Sequence, residues 1–128
     1  MQQSMIVGVV SALAYGAALE LVPRRWRLTL ASVGLVVAAL IYVGFAVVAG
    51  QGQVLHVLGG VPFVVAAVLG RRRPLVLGGA WIAHAAWDGL AISHGGPSPA
   101  WYPFWCGSLD VAFGLYLVVR AGAWRDPR

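Results

Sequence analysis

The stretch HAAWD places His84 and Asp88 four residues apart in one of the most apolar regions of the chain. A second pair follows, because Cys106 and Asp110 are also four residues apart. Side chains at positions i and i+4 of a helix lie on the same helix face. If both regions are helical, each face therefore carries two groups that can bind a metal ion or transfer a proton.

A transition-metal site is the first interpretation of these residues. Imidazole, carboxylate and thiolate groups are the common ligands of zinc, copper and iron in proteins. The candidate ligands are His56, His84, Asp88, Cys106 and Asp110. No HxxH, HxH or CxxC spacing accompanies them, and they would come from three helices. As a single residue, Cys106 is also typical of a small buried hydrophobic group.

Acid–base chemistry on a lipophilic ligand is the second interpretation. Burial disfavours the charged forms of carboxyl and imidazole groups, so His84, Asp88 and Asp110 are candidate catalytic residues for proton transfer near neutral pH. Further side chains are expected to line the apolar pocket that holds such a ligand. These ligand-lining residues are Trp81, Trp87, His94 and Tyr102.

Two other functions stay open. The first is a proton-coupled transporter or relay, which requires ionisable groups at successive depths across the membrane. The predicted order of such groups is Glu20, His84, Asp110, Asp88 and His56. A wide gap between Glu20 and His84 weakens that interpretation. Alternatively, the buried pairs only bond to each other and hold helices together, in a structural or helper subunit of a membrane complex.

The composition indicates a membrane protein that consists of one transmembrane domain, residues 1–128. Of the 128 residues, 60% are hydrophobic and 10% are charged, and the mean hydropathy is +0.81. A soluble domain of this size cannot bury so much apolar surface. Since a spanning helix needs about 20 residues, the chain predicts an all-α bundle of five transmembrane helices. The expected spans are residues 5–22, 28–49, 54–70, 75–93 and 102–121.

The arginines predict the orientation of this bundle. All nine basic residues are arginines, and they fall within residues 24–27, 71–73 and 120–128. Five spans place these three groups on one side, and the N-terminus, GQGQ and HGGPSPAW on the other. The positive-inside rule then predicts a multi-pass protein of the inner (plasma) membrane with its N-terminus outside and its C-terminus in the cytoplasm. In that orientation the two polar pairs form a site that opens outward.

The net charge of +5 then belongs to the cytoplasmic face, where it meets anionic lipid of the bilayer. No nucleic-acid-binding motif is found, so we expect no nucleic-acid partner. A chain of this length buries little surface alone, which makes a homo-oligomer or a membrane partner plausible.

Small residues recur at four-residue spacing in the first predicted span, at Ser4, Gly8, Ala12 and Gly16. Such a stripe allows a second helix to approach closely. Glu20 continues the stripe and is therefore expected to face the bundle instead of lipid.

The elements HAAWDGLAISH and PAWYPFWCGSLD, followed by a final apolar helix, resemble a group of small uncharacterised prokaryotic multi-pass integral-membrane proteins. These carry a His/Trp-Asp helix, a histidine shortly after it, an aromatic–Pro turn and a Cys-x3-Asp helix. HAAWD has one more residue between the histidine and Trp-Asp than the form HxWD. The similarity covers residues 84–116, about a quarter of the chain. It implies only that these positions form a site.

Overall fold

The computed structural model describes residues 1–124, and these fold into five α-helices joined by short connections. The helices are α1 (Gln2–Glu20), α2 (Arg24–Ala49), α3 (Gln53–Gly70), α4 (Pro74–Ser93) and α5 (Tyr102–Trp124). Each of them is long and apolar enough to cross a membrane. The prediction of an all-α fold with five such helices is confirmed. The predicted cytoplasmic arginines Arg125 and Arg128 lie outside the described residues.

Helix α2 begins earlier than its predicted span. The segment RRWR was expected to be a connection, but the helix starts at Arg24, directly after Pro23. Proline has a fixed φ and lacks an N–H group that a helix start would leave unpaired, so it is well tolerated at this point. The prediction of a loop is therefore wrong, and these arginines form the first turn of α2.

The turn between α2 and α3 depends on two glycines. Gly50 and Gly52 have φ angles of 70° and 73°, in the left-handed region that glycine adopts at little cost. They reverse the chain within the three residues between Ala49 and Gln53. The tight reversal places His56, in the first turn of α3, against α2.

Helices α4 and α5 pack with their backbones in contact. A Cβ atom at Gly114 would lie 2.6 Å from a side-chain carbon of Ile82 and 2.7 Å from the carbonyl oxygen of Gly78. A Cβ atom at Gly78 would lie 2.8 Å from the carbonyl oxygen of Gly114. Because only glycine fits there, the contact fixes how the two helices align along their length. That alignment brings HAAWD and the Cys-x3-Asp segment to the same level.

The small-residue stripe on α1 packs closely against another helix, as predicted, and that helix is α5. Gly8, Ala12 and Gly16 are buried. A Cβ atom at Gly8 would lie 2.1 Å from the hydroxyl oxygen of Ser108, and one at Gly16 would lie 3.0 Å from the ring of Tyr116. The stripe therefore lets α1 approach α5 closely, as in many membrane helix pairs.

The end of the bundle that carries Arg24–Arg27 and Arg71–Arg73 is called here the arginine end. Glu20 lies at this end and faces the bundle, as predicted, and it forms ion pairs with Arg27 and Arg120. Above it lies an apolar layer of buried side chains to which all five helices contribute. Its members include Leu35, Leu77, Trp81, Phe113 and Leu117. The two polar pairs lie beyond this layer, towards the opposite end of the bundle.

Candidate metal centre

Four side chains that can bind a metal ion meet in the interior of the bundle. They are His84 and Asp88 from α4 and Cys106 and Asp110 from α5, and none is more than 2% exposed. One ligand atom from each lies within 4.8 Å of the others. We call these residues the buried cluster. The structure thus brings together four of the five residues that the sequence offers as metal ligands, on two neighbouring helices instead of three.

The imidazole of His84 lies at the centre of the buried cluster. Its Nδ1 atom lies 2.6 Å from Oδ2 of Asp110, within hydrogen-bond distance, and 3.8 Å from Oδ2 of Asp88. The thiol of Cys106 lies 3.8 Å from the same Asp110 oxygen. Within residues 1–124, His84 is the only basic group that pairs with either carboxyl. Two carboxyl groups therefore share one imidazole.

Tyr42 of α2 contacts the buried cluster through a hydrogen bond to Asp88. Its side chain is fully buried, and its hydroxyl donates a hydrogen bond of 2.5 Å to Oδ1 of Asp88. This bond fixes the orientation of the carboxyl and leaves Oδ2 of Asp88 without a hydrogen-bond partner among the described residues. Sequence reasoning missed Tyr42. The available signal was a single phenol inside a long apolar span, since α2 holds no other tyrosine.

His56, the fifth predicted metal ligand, is not a member of the buried cluster. Its ring stacks on Tyr42 with a centroid distance of 5.6 Å and meets Trp87 edge-on at 5.7 Å. The residue is buried, and its Nδ1 atom has no hydrogen-bond partner within residues 1–124. His56 therefore belongs to a second layer, separated from Asp88 by the phenol of Tyr42.

A cavity of about 350 Å³ opens beside His56, at the end of the bundle opposite the arginines. We call it the His56 cavity. Its walls include Trp87 and His94, two of the predicted ligand-lining residues, together with Leu55 and Leu90. A path from this end to the buried cluster would pass His56 and then Tyr42.

The other two predicted ligand-lining residues, Trp81 and Tyr102, do not line the His56 cavity or either of the two cavities described below. Trp81 packs edge-on against Phe113 in the apolar layer and donates a 3.2 Å hydrogen bond to the carbonyl oxygen of Ala31. It precedes His84 by about one helical turn, which places it on the arginine side of the buried cluster. Tyr102 is buried against the ring of Tyr42 at 5.6 Å.

A groove of about 530 Å³ lies between α1, α4 and α5 and reaches the buried cluster from the side of the bundle. We call it the lateral groove. Its lining includes Val9, Gly89, Gly107 and Asp88. A Cβ atom at Gly107 would lie 3.5 Å from Oδ2 of Asp88, the carboxyl oxygen that has no partner among the described residues. The absence of a side chain at Gly107 therefore lets the groove approach Asp88 closely, while Oδ2 itself stays buried.

The residues of the buried cluster fit a metal ion in type and spacing. Ligands bound to a tetrahedral zinc ion at about 2.0–2.3 Å lie roughly 3.3–3.7 Å from one another. In the structure, His84 Nδ1 lies 3.8 Å from Oδ2 of Asp88, and Sγ of Cys106 lies 3.8 Å from Oδ2 of Asp110. The 2.6 Å contact between His84 and Asp110 would have to lengthen, and any separation near the 4.8 Å limit of the cluster would have to shorten. Oδ2 of Asp88 is available as a ligand without loss of any hydrogen bond.

Similarity to known proteins gives no indication of the function of this chain. The resemblance of residues 84–116 to small prokaryotic membrane proteins stays a prediction. No protein-family model, no curated protein and no solved structure matches this chain.

Proposed function

We propose that this chain is a membrane protein whose buried cluster binds one divalent transition-metal ion, with zinc as the preferred ion. The observation that carries the proposal is the convergence of His84, Asp88, Cys106 and Asp110 within 4.8 Å, with all four side chains buried. Buried charges in proteins are normally paired or coordinate a metal. Polar residues inside transmembrane helices are costly and usually mark a functional site.

The balance of charge favours a metal over a purely structural role. Without a cation, the two carboxyls have only His84 as a basic partner among the described residues, so most of the acidic groups would have to remain protonated. A divalent ion allows both carboxyls and the thiol of Cys106 to ionise and leaves one net negative charge. The hydrogen bond from Tyr42 to Asp88 stabilises that charge.

The mixture of ligand atoms favours zinc. Zinc accepts nitrogen, oxygen and sulfur ligands and has no geometric preference from its d-electrons. Copper(I) selects sites rich in thiolate and thioether sulfur, whereas this site offers the single sulfur of Cys106. The hydroxyl of Tyr42, which holds the carboxyl of Asp88, corresponds to the outer groups that orient metal ligands in many proteins.

We place the chain in the inner (plasma) membrane with the arginine end in the cytoplasm and the N-terminus outside. The support is that Arg24, Arg25 and Arg71–Arg73 converge at one end of the bundle, as the positive-inside rule requires of a cytoplasmic face. The His56 cavity, at the opposite end, then opens outward. Metal would reach the buried cluster from the outer side.

The metal proposal is tested on the intact chain purified in detergent. Elemental analysis is expected to give one zinc ion per chain. Extraction with a chelator is expected to lower the midpoint of thermal unfolding, since an ion that binds only the folded state stabilises it. Addition of zinc should restore that midpoint. Metal-free protein that neither takes up zinc nor gains stability from it would contradict the proposal.

A proton relay across the whole bundle has less support. The apolar layer, which includes Leu77, Phe113 and Leu117, separates Glu20 from the buried cluster. Glu20 is instead engaged by ion pairs with Arg27 and Arg120. A relay needs polar groups or water within hydrogen-bond reach of one another. The side chains of Leu77, Phe113 and Leu117 provide neither a hydrogen-bond donor nor an acceptor.

Binding of a small lipophilic ligand is a second candidate function, favoured by the lateral groove. The groove is mostly apolar, faces the side of the bundle where lipid would lie, and has Asp88 in its lining. A ligand with an apolar body and one hydroxyl group would match this arrangement. The carboxyl of Asp88 and the imidazole of His84 could then exchange a proton with the bound group.

Filling the lateral groove should block such a ligand. Gly107→Leu places a side chain beside Asp88, and we expect it to weaken binding of dodecanol in lipid nanodiscs by about 10-fold. Gly79→Leu is the matched control, because a Cβ atom at Gly79 has no neighbour within 4 Å and the residue lies outside the groove. Equal dodecanol binding by both variants and the unchanged protein would rule out the groove as the ligand site.

A further inference from the structure

A third cavity, of about 780 Å³, lies at the arginine end of the bundle. We call it the arginine cavity. Five arginines line it, two from the start of α2 and three from the connection between α3 and α4, together with Trp124 at the end of α5. The five are Arg24, Arg25, Arg71, Arg72 and Arg73. This concentration of positive charge at one site is separate from the buried cluster and plays no part in the proposed metal binding.

No carboxylate within the described residues neutralises this charge. It has four acidic residues. Glu20 pairs with Arg27 and Arg120, and Asp88 and Asp110 belong to the buried cluster. Within residues 1–124, no carboxylate forms an ion pair with any of the five arginines. At most one acidic side chain, Asp126, which lies outside the described residues, is left to offset them.

Two helix N-termini add to the positive potential of the arginine cavity. Helix α2 begins at Arg24 and helix α4 at Pro74, and both residues line the cavity. Neither N-terminus is capped by a side-chain hydrogen bond. A helix N-terminus carries a partial positive charge and unpaired N–H groups that favour anions, phosphate in particular. The helix ends and the guanidinium groups therefore favour the same kind of ligand.

We propose that the arginine cavity binds the phosphate headgroup of an anionic membrane phospholipid. Guanidinium groups match phosphate oxygens in geometry and remain charged at all physiological pH values. The cavity lies at the end of helices that are long enough to cross a membrane. In a bilayer, the ends of such helices lie at the level of the lipid headgroups. Leu28, Leu75 and Val76 also line it and provide apolar contacts for the adjoining part of the lipid. Basic pockets between helices are known to suit such headgroups.

The test is a binding titration of the purified full chain with short-chain phosphatidylglycerol, and with phosphatidylcholine and inorganic phosphate as comparison ligands. We expect phosphatidylglycerol to bind more tightly than phosphatidylcholine. The triple variant Arg71→Gln, Arg72→Gln, Arg73→Gln should weaken its binding by about 100-fold, at about five-fold for each arginine. Arg120→Gln is the control, because Arg120 lies near the same end but outside the cavity, where it pairs with Glu20.

Three outcomes would overturn this proposal. The first is equal affinity for phosphatidylglycerol and phosphatidylcholine, and the second is an equal loss of affinity in Arg120→Gln. The third is inorganic phosphate competing as well as the lipid, which would identify the ligand as a free anion. Zinc content measured on the same samples should stay unchanged, so failure here is distinguishable from failure of the metal proposal.

Discussion

The variant His84→Ala is expected to lose zinc affinity by at least about 100-fold, because removal of an outer-shell partner alone typically costs 10–100-fold. Asp110→Asn should have an effect of similar size. It retains nearly the same side-chain volume but replaces an anionic ligand by a neutral amide. Both residues are fully buried, and they lie 2.6 Å apart at the centre of the buried cluster. The measurement is competitive zinc titration of metal-free protein in nanodiscs.

His94→Ala is the matched control for these variants. It also removes an imidazole, but His94 is exposed and lies beside the His56 cavity. We expect its zinc affinity to equal that of the unchanged protein. Far-ultraviolet circular dichroism should show the same helix content in all the variants, which separates loss of a ligand from loss of the fold. If the two cluster variants bind zinc as tightly as His94→Ala, the ion does not occupy the buried cluster.

Replacement of Tyr42 by phenylalanine is expected to weaken zinc binding by about 10–100-fold, the usual effect of losing a group that orients a metal ligand. Only the hydroxyl is removed, and with it the 2.5 Å hydrogen bond to Asp88. The ring remains, so its stacking on His56 and its packing on Tyr102 should persist. The effect should therefore appear mainly in zinc affinity and only weakly in the stability of the metal-free protein.

Tyr15→Phe is the control for this second variant. The hydroxyl of Tyr15 also donates a hydrogen bond from one helix to another, to the carbonyl oxygen of Leu30 at 2.8 Å, but it lies outside the buried cluster. Removal of the Tyr15 hydroxyl should lower the free energy of unfolding slightly and leave the zinc affinity unchanged. A larger loss of zinc affinity in Tyr15→Phe than in Tyr42→Phe would contradict the role given to Tyr42.

The helices and the two polar pairs could be predicted because they depend on local features of the sequence. The number of apolar runs that are long enough to span a membrane gives the number of helices. The four-residue spacing places His84 and Asp88 on one helix face, and Cys106 and Asp110 on another. The start of α2 could not be predicted from hydropathy. The three arginines of RRWR are polar enough to suggest a loop, whereas they continue the helix beyond its apolar part.

The contribution of Tyr42 could not be predicted because it depends on packing between distant segments. The glycine turn between α2 and α3 and the contacts of α4 with its neighbours determine which level of α2 faces Asp88. Neither can be derived from the spacing of residues along one helix. The same reason explains Trp81, which was expected to line the ligand pocket but whose side chain packs against Phe113 in the apolar layer.

The central claim is that one metal ion is held by all four side chains of the buried cluster, and zinc K-edge X-ray absorption spectroscopy tests it most directly. For the zinc-loaded protein we expect nitrogen and oxygen ligands at about 2.0–2.2 Å and one sulfur ligand at about 2.3 Å. Cys106 is the only cysteine of the chain, so the sulfur signal should vanish in Cys106→Ser. A spectrum of bound zinc with no sulfur ligand, or one that Cys106→Ser leaves unchanged, would contradict the account.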